Sequence, residues 1–290
     1  MFICNQCPRR CGADRDIKTG VCGVNTGYKV ARAALHYWEE PCISGENGSG
    51  TVFFSGCSLK CVYCQNYKVS SECYGKEITK DRLIEIFKEL EAQGANNINL
   101  VNPTHYAVQL ASTLSKYKPS VPVVYNTGGY DSVESLKLLD GLVDIYLTDM
   151  KYVSPSVSLK YSKAADYFDV CSAAVREMKR QQGTDVFENG LMKKGLIIRH
   201  LVLPGNVSQA MRTLDWIKDN LPIDTVISLM GQYMPCAKAA EYPTINRKLS
   251  EKEYNIVLDY AEKLGFENVY IQELDSSSEE FVPDFDLSGV

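Results

Sequence analysis

Short apolar segments alternate with amphipathic segments along most of the chain. The apolar segments, which predict buried strands, lie at 51–55, 97–101, 121–125, 144–148, 196–203 and 225–230. Helical periodicity covers 81–93, 105–117, 132–140, 159–181 and 207–219, and a last helix at 250–264 precedes a strand at 268–272. Strands that alternate with helices favour a parallel sheet with right-handed crossovers. The pattern therefore predicts an α/β fold, an open or partial (β/α)6-type barrel, with its chemistry at the carboxyl ends of the strands.

The two ends of the chain break this alternation. Residues 1–50 are rich in Cys, Gly, Arg and Asn and show little periodicity apart from a predicted strand at 28–37. The last residues are acidic and contain Ser and Pro. We therefore predict three regions: a Cys-rich N-terminal arm at 1–50, the barrel at 51–274, and a surface-lying C-terminal tail at 275–290.

Charge and composition exclude several classes of function. The 290 residues carry a net charge of −5 without a basic cluster, which argues against nucleic-acid binding through phosphate neutralisation. No apolar run approaches the roughly 18 residues that a membrane span needs. The first residues lack the charged-then-apolar pattern of a secretory signal. We expect a soluble, cytoplasmic protein that binds neither nucleic acid nor membrane.

The cysteines change this picture. There are 11 of them, and an odd number without an export signal favours metal ligation or thiol chemistry over disulfides. Cys57, Cys61 and Cys64 follow the first barrel strand with C-x3-C-x2-C spacing. Structural zinc needs four ligands, whereas three thiolates on a [4Fe–4S] cube leave one iron open to a small chelating molecule. The alternatives are a zinc site completed by a distant residue and an ordinary loop.

A second group of cysteines lies in the arm. Cys4, Cys7, Cys11 and Cys22 offer four thiolates within 19 residues. Four suffice for tetrahedral zinc or for a fully ligated Fe–S cluster, and the spacing does not choose between these metals. Reduced structural cysteines without a metal are the third alternative.

The loop cysteines carry a family resemblance. Cys57, Cys61, Tyr63 and Cys64 resemble the C-x3-C-x-aromatic-C signature of the radical S-adenosylmethionine (SAM) superfamily. The resemblance implies that a [4Fe–4S] cluster binds SAM through the amino and carboxylate groups and cleaves it reductively. The products are methionine and a 5′-deoxyadenosyl radical, which abstracts hydrogen from a substrate. A reductant such as flavodoxin or ferredoxin is implied as a partner.

Further segments resemble one branch of that superfamily, the proteins similar to pyruvate formate-lyase activating enzyme (PflX-type). They are 39–45, 48–56, 64–67, 102–105, 144–152, 199–200, 204–205 and 231–233. This resemblance implies hydrogen abstraction from a protein or peptide substrate, in the manner of a glycyl-radical activase. Two alternatives stay open: hydrogen abstraction from a small metabolite or ribosomal peptide, and a non-enzymatic Fe–S or zinc scaffold.

The residues predicted to bind SAM lie mostly at strand ends. Asp149 and Lys151 are one residue apart and therefore share a face of an extended segment. The resemblance to activating enzymes assigns this pair to the SAM ribose and carboxylate, whereas an isolated pair of this kind is more often a solvated ion pair. Asn102 and Thr104 stand where relatives often carry an acidic turn for the SAM amino group. The full predicted set is Tyr63, Asn102, Thr104, Asn126, Asp149, Lys151, His200 and Gln232.

Overall fold

Strands and helices alternate through the computed structural model, which describes residues 4–272, 274 and 283–290. The strands are β1 (Tyr28–His36), β2 (Ser49–Phe54), β3 (Lys76–Ile78), β4 (Ile98–Val101), β5 (Val123–Thr127), β6 (Ile145–Asp149), β7 (Val186–Glu188), β8 (Leu191–Leu201), β9 (Val226–Met230) and β10 (Val269–Ile271). The helices are α1 (Pro41–Ser44), α2 (Tyr67–Ser70), α3 (Lys80–Ala92), α4 (Ala107–Lys116), α5 (Val133–Lys137), α6 (Pro155–Ser162), α7 (Tyr167–Gln182), α8 (Val207–Asn220) and α9 (Glu251–Leu264).

One twisted sheet organises these elements, in the order β10-β9-β8-β6-β5-β4-β2-β1-β3. The pairs from β2 to β10 are parallel, whereas β1 runs antiparallel to both of its neighbours and β7 is an antiparallel addition to β8. Within the described residues the two end strands, β10 and β3, do not pair with each other. The predicted α/β class and the partial barrel are confirmed.

Local sequence signals explain where the helices begin. The Thr79 hydroxyl accepts from the Arg82 amide and caps α3, whose buried stripe includes Leu83, Phe87 and Leu90. The predicted helix at 159–181 is two helices, because Lys163 adopts the left-handed conformation after α6 and the chain turns before α7. The short strands β3 and β7 were not predicted, since both are largely exposed and lack the buried apolar run that marks a barrel strand.

The concave face of the sheet is filled by α1. Cys42 and Ile43 on this single turn pack against an apolar set that comes from four neighbouring strands, namely Val124, Ile145, Leu147, Ile197 and Val226. This packing brings the segment that follows β1 into the half-barrel, below the carboxyl ends of the strands. Residues 28–45 thus pack with the barrel although they lie within the range predicted as the arm.

The described end of the tail also packs on the sheet. The Ala33 amide donates to the Ser288 carbonyl at 2.8 Å, and Phe285 stacks edge-on against Phe53. Residues 275–282 of the predicted tail lie outside the described residues. Among the helices that the structure describes, none has the length and apolar character needed to cross a bilayer.

Candidate functional site

The loop of Cys57, Cys61 and Cys64 begins directly after β2. Gly56 makes the turn with a φ of +85°, and a side chain there would lie 2.7 Å from the Cys22 carbonyl oxygen. The Cys57 amide donates to that same carbonyl at 3.1 Å, and the Asn102 side chain donates to the Gly56 carbonyl. The loop is therefore held between the arm and the end of β4.

The three loop cysteines line one cavity of about 150 Å³ at the carboxyl ends of the strands. The polar residues that share this cavity are Asn66, Ser70, Asn102, Asn126, Thr127, Asp149, Lys151 and Arg199. Four of the eight residues predicted to bind SAM are thus brought together beside the thiols. The barrel topology explains this convergence, since parallel strands end at the same edge of the sheet.

Each loop sulfur also has a hydrogen-bonding neighbour. The pairs are Cys57 with the Leu59 amide at 3.4 Å, Cys61 with the Ser162 hydroxyl at 3.0 Å, and Cys64 with the Ser70 hydroxyl at 3.3 Å. Such contacts to ligand sulfur help to set the reduction potential of an Fe–S cluster.

The donor set fits a [4Fe–4S] cluster. Burial raises the pKa of the Cys57 thiol to about 11 and that of Cys64 to about 12, and the nearby Cys61 adds to both shifts. The Cys57 and Cys64 thiols therefore need a positive centre before they can ionise. Within the described ranges, no three His, Cys, Asp or Glu side chains are arranged to hold a metal ion. A cube binds each thiolate through a different iron, so its ligands line a cavity instead of meeting at one point.

A buried ionic network forms the opposite wall. Asp149 binds Lys151, and it accepts from the Arg199 guanidinium at 3.0 Å. Burial disfavours the Asp149 carboxylate, but Lys151 and Arg199 outweigh that effect and lower its pKa. Arg199 also pairs with Glu39 at 3.2 Å and donates to the Asn126 side chain at 2.5 Å. The site thus holds fixed charges of both signs next to the thiols.

Strand register decides which residue of β8 joins this network. Arg199 is the register partner of Asp149 and faces the cavity. His200 lies on the opposite face of β8, where its Nδ1–H donates to the Met150 carbonyl at 2.6 Å. Burial lowers the pKa of His200 to about 4, so the ring is neutral at pH 7. Sequence reasoning chose His200 for the site, whereas the register between β6 and β8, which the sequence does not display, places Arg199 beside Asp149.

Two more predicted residues lie behind the cavity wall. The Thr104 hydroxyl shares a hydrogen bond of 3.0 Å with Thr127. Tyr63 is buried, its hydroxyl bonds that of Tyr152 at 2.5 Å, and its ring packs against Tyr233. These side chains contact residues of the cavity wall or pack behind it, and they do not line the cavity themselves.

A second, larger cavity of about 640 Å³ adjoins the first. The residues common to both are Phe53, Asn66, Val101, Asn126 and Arg199. The larger cavity contains Gln232 from the predicted set, and it also contains Glu39 and Glu40, which were not predicted as site residues. The sequence signal that could have found them is an acidic pair directly before Pro41 and the apolar residues of α1.

The four arm cysteines also converge. Cys11 and Cys22 each place their sulfur 3.4 Å from where a side chain on Gly20 would begin. Burial raises the pKa of Cys7 to about 12, with smaller contributions from Cys22, Cys4 and Cys11. The structure therefore gathers these thiols in one region of the arm.

Arg15 lies inside this region of the arm. It is fully buried, with one guanidinium nitrogen 4.0 Å from the Cys4 sulfur. The same guanidinium donates to the Asn25 carbonyl at 2.5 Å and to the His105 carbonyl at 2.6 Å. Arg15 therefore fastens the cysteine region to the end of β4.

A half-barrel of parallel strands, with three cysteines on the loop after its first parallel strand, defines a class of enzymes that hold an Fe–S cluster at the barrel mouth. Residues 51–233 match the profile of the Radical SAM superfamily, and the chain belongs to this superfamily. Membership implies an enzyme that uses a [4Fe–4S] cluster and SAM.

Individual proteins are similar to the chain in sequence or in fold. The chain is 33% identical over 276 residues to an uncharacterized protein of Methanocaldococcus jannaschii, an alignment that covers 92% of this chain and 76% of that protein. It is similar in fold to Streptococcus suis SuiB, with a TM-score of 0.54 at 11% identity, over 79% of this chain and 50% of SuiB. SuiB bound to the precursor peptide SuiA gives a TM-score of 0.52 at 13% identity, over 79% of this chain and 49% of SuiB. The chain thus spans about half the length of SuiB.

Proposed function

We propose that this chain is a radical SAM enzyme that abstracts hydrogen from a protein or peptide substrate, in the manner of the PflX-type activating-enzyme branch. One observation carries the proposal: the three loop cysteines share a cavity with Asp149 and Lys151, and this cavity shares five lining residues with a larger one. When bound, the cluster and SAM supply reductive S–C cleavage and a 5′-deoxyadenosyl radical. Flavodoxin or ferredoxin is the proposed reductant.

The chain's own residues orient SAM. Lys151 offers a cation to the SAM carboxylate, and Asp149, held in place by Arg199, offers its carboxylate to the ribose diol. The amides of Asn102 and Asn126 serve the remaining polar groups. Tyr63, Thr104 and His200 act behind the wall as positioning residues, and Gln232 faces the larger cavity.

The larger cavity is of a size to take one residue of a protein or peptide substrate, and it is too small for a whole peptide. Its volume of about 640 Å³ suits one side chain with its flanking backbone. Tyr37 and Trp38 line it and are half or more exposed, so a partner chain can reach the cavity. The fold relative SuiB holds a precursor peptide. The same volume also suits a small metabolite, which is the second candidate substrate.

The proposal is tested by anaerobic reconstitution with iron and sulfide, followed by reduction and addition of SAM. We expect 5′-deoxyadenosine from the wild-type chain and none from Cys61→Ala, because the cube loses a ligand. Cys73→Ser, outside the loop, is the matched control and should retain activity. Cleavage by Cys61→Ala would overturn the cluster assignment, and a full cluster without deoxyadenosine in the wild type would favour the scaffold alternative.

We also propose that Cys4, Cys7, Cys11 and Cys22 hold a second metal, either zinc or an Fe–S cluster. The convergence of their thiols supports this, and the bond from the Cys57 amide to the Cys22 carbonyl links the two cysteine regions directly. Among the described residues these side chains do not meet at one point, so a zinc ion would have to draw the sulfurs together, whereas a cluster would bind them further apart. Metal analysis separates the outcomes. About eight irons per chain indicate a second cluster, and about four irons with one zinc indicate zinc. About four irons without zinc would contradict the proposal.

A further inference from the structure

An acidic pair, Glu39–Glu40, lines the larger cavity from the segment between β1 and α1. The packing of α1 against the concave face fixes this segment, so the pair has a defined position beside Arg199. The two carboxylates have different surroundings. Glu39 accepts from Asn99, Asn126 and Arg199 at 3.0–3.2 Å.

The Glu40 carboxylate is less well satisfied than that of Glu39. Glu40 is only 4% exposed, and its Oε2 has no hydrogen-bond partner within the described part of the chain. The Ser228 hydroxyl on β9 lies near enough to lower the pKa of Glu40, but neither this hydroxyl nor Glu40 Oε2 has a partner within hydrogen-bond geometry among the described residues. A buried carboxylate oxygen without a donor is costly, and a bound ligand with a donor group would relieve that cost.

The charged residues of the two cavities indicate which kind of ligand group would donate to Glu40. Three carboxylates, from Glu39, Glu40 and Asp149, face two cations, from Lys151 and Arg199. Lys151 and Arg199 both already bind Asp149, and Arg199 also binds Glu39. Burial raises the pKa of Glu40, and Glu40 forms no ion pair with another described residue, so a cationic group in the larger cavity would favour its carboxylate form.

Aromatic side chains complete this environment. Trp38 and Tyr37 line the same cavity, and they are 60% and 50% exposed. Indole and phenol rings attract ammonium and guanidinium groups through their faces. A carboxylate at the wall with aromatic rings at the rim is the chemistry that recognises an organic cation.

From these observations we infer that Glu40, with Trp38 at the rim, binds an ammonium or guanidinium group of the substrate in the larger cavity. This inference rests on the proposed function, because it assigns the larger cavity to the substrate. In a peptide the cation is a Lys or Arg side chain, and in a metabolite it is an alkyl amine or guanidine.

The test is calorimetric titration of the reconstituted chain, saturated with SAM and without reductant. The probes are N-acetyl-lysine amide and N-acetyl-arginine amide for peptide side chains, 1,4-diaminobutane for a free amine, and N-acetyl-norleucine amide as the neutral control. We expect a cationic probe to bind at least about tenfold more tightly than the norleucine probe. The preferred cationic probe then separates the peptide source from the free amine.

Glu40→Gln removes the charge and keeps the shape. We expect it to weaken binding of the cationic probe about tenfold and to leave SAM affinity within about twofold. Glu188→Gln, on the exposed strand β7, is the matched control and should change neither affinity. Trp38→Leu is a second variant on an exposed side chain, for which we expect a loss of about two- to fivefold.

Three results would overturn the inference: no preference for cations, probe affinity unaffected by both variants, or an equal loss of SAM affinity in Glu40→Gln, which would assign Glu40 to the SAM site. Deoxyadenosine formation by the wild-type chain is measured separately. Cation binding without SAM cleavage would refute the proposed enzyme and leave the cation site standing, whereas cleavage without cation binding would do the reverse.

Discussion

Asp149 illustrates how a single residue determines the character of the site. Its carboxylate joins Lys151, on its own segment, to Arg199 on the neighbouring strand. All three side chains are largely buried, so the loss of one leaves uncompensated charge in a region of low dielectric. Energetically, the network behaves as one unit.

We predict that Asp149→Asn weakens SAM binding about tenfold. A neutral amide cannot hold the Lys151 and Arg199 cations in place, so both lose their fixed positions in the site. The dissociation constant for SAM, measured by calorimetry on the reconstituted chain, checks this. Asp81→Asn is the control, since Asp81 forms an exposed pair with Lys116 at 2.7 Å. An unchanged dissociation constant in Asp149→Asn would remove this residue from the SAM site.

His200 provides a pH-dependent prediction. Burial lowers its pKa from 6.5 to about 4, so the unfolded chain binds the proton more readily than the folded chain. Its contribution to stability is complete above about pH 6.5 and is lost progressively as the pH falls towards 4. Between about pH 7.5 and pH 5 this loss is about 2 kcal/mol.

His200→Asn should remove that part of the acid sensitivity while an amide still donates to the Met150 carbonyl. Urea denaturation of the chain prepared without added iron, at both pH values, measures the difference. His36→Asn serves as a comparison for a less buried ring. Equal pH dependence in the wild type and His200→Asn would contradict the burial argument.

Among the elements, α1 has the largest influence for its size. Its four residues fill the concave face of the sheet, and they hold the acidic pair at the larger cavity. An element this short has little helical stability of its own, so tertiary packing must maintain it.

Ile43→Ala should therefore destabilise the chain by about 2–5 kcal/mol, because Ile43 is fully buried among aliphatic side chains. The free energy of unfolding in urea checks this, with Ile17→Ala as the control at a residue that is 80% exposed. A loss below about 1 kcal/mol would mean that α1 is not packed as described.

Prediction of helices and strands succeeded where the apolar pattern repeats several times along a segment. The helices α3, α4, α8 and α9 and the barrel strands were predicted to within a few residues, since their apolar faces repeat several times. The break between α6 and α7 was missed, because a single left-handed residue at Lys163 leaves little trace in the hydrophobic pattern. The elements α1, β3 and β7 were also missed, because each is too short or too exposed to show a repeated apolar pattern.

At the scale of the whole molecule, the arm and the barrel are joined through Arg9. Its guanidinium donates to the carbonyls of Ser58 in the cysteine loop, and of Ser162 and Lys163 at the end of α6. It also lies over the Tyr130 ring. One side chain thus ties three distant segments together beside the thiols.

Arg9→Ala should cost about 2 kcal/mol of stability and speed the loss of the reconstituted cluster in air, because charged hydrogen bonds to the loop disappear. Arg10→Ala is the control, since Arg10 forms an exposed pair with Glu134 at 3.8 Å. Urea denaturation and the decay of the visible cluster absorbance provide the two readouts. Equal behaviour of the two variants would contradict this role for Arg9.

The sequence by itself determined the fold class and the radical SAM superfamily, because strand–helix alternation and the spacing of Cys57, Cys61 and Cys64 are local properties of the chain. Only the tertiary structure decided that Arg199 and not His200 joins Asp149, that the arm cysteines converge beside the loop, and that Glu39 and Glu40 enter the larger cavity. The physical reason is that these relations depend on strand register and on packing between segments distant in the chain. Such contacts follow from the whole fold, and no local pattern encodes them.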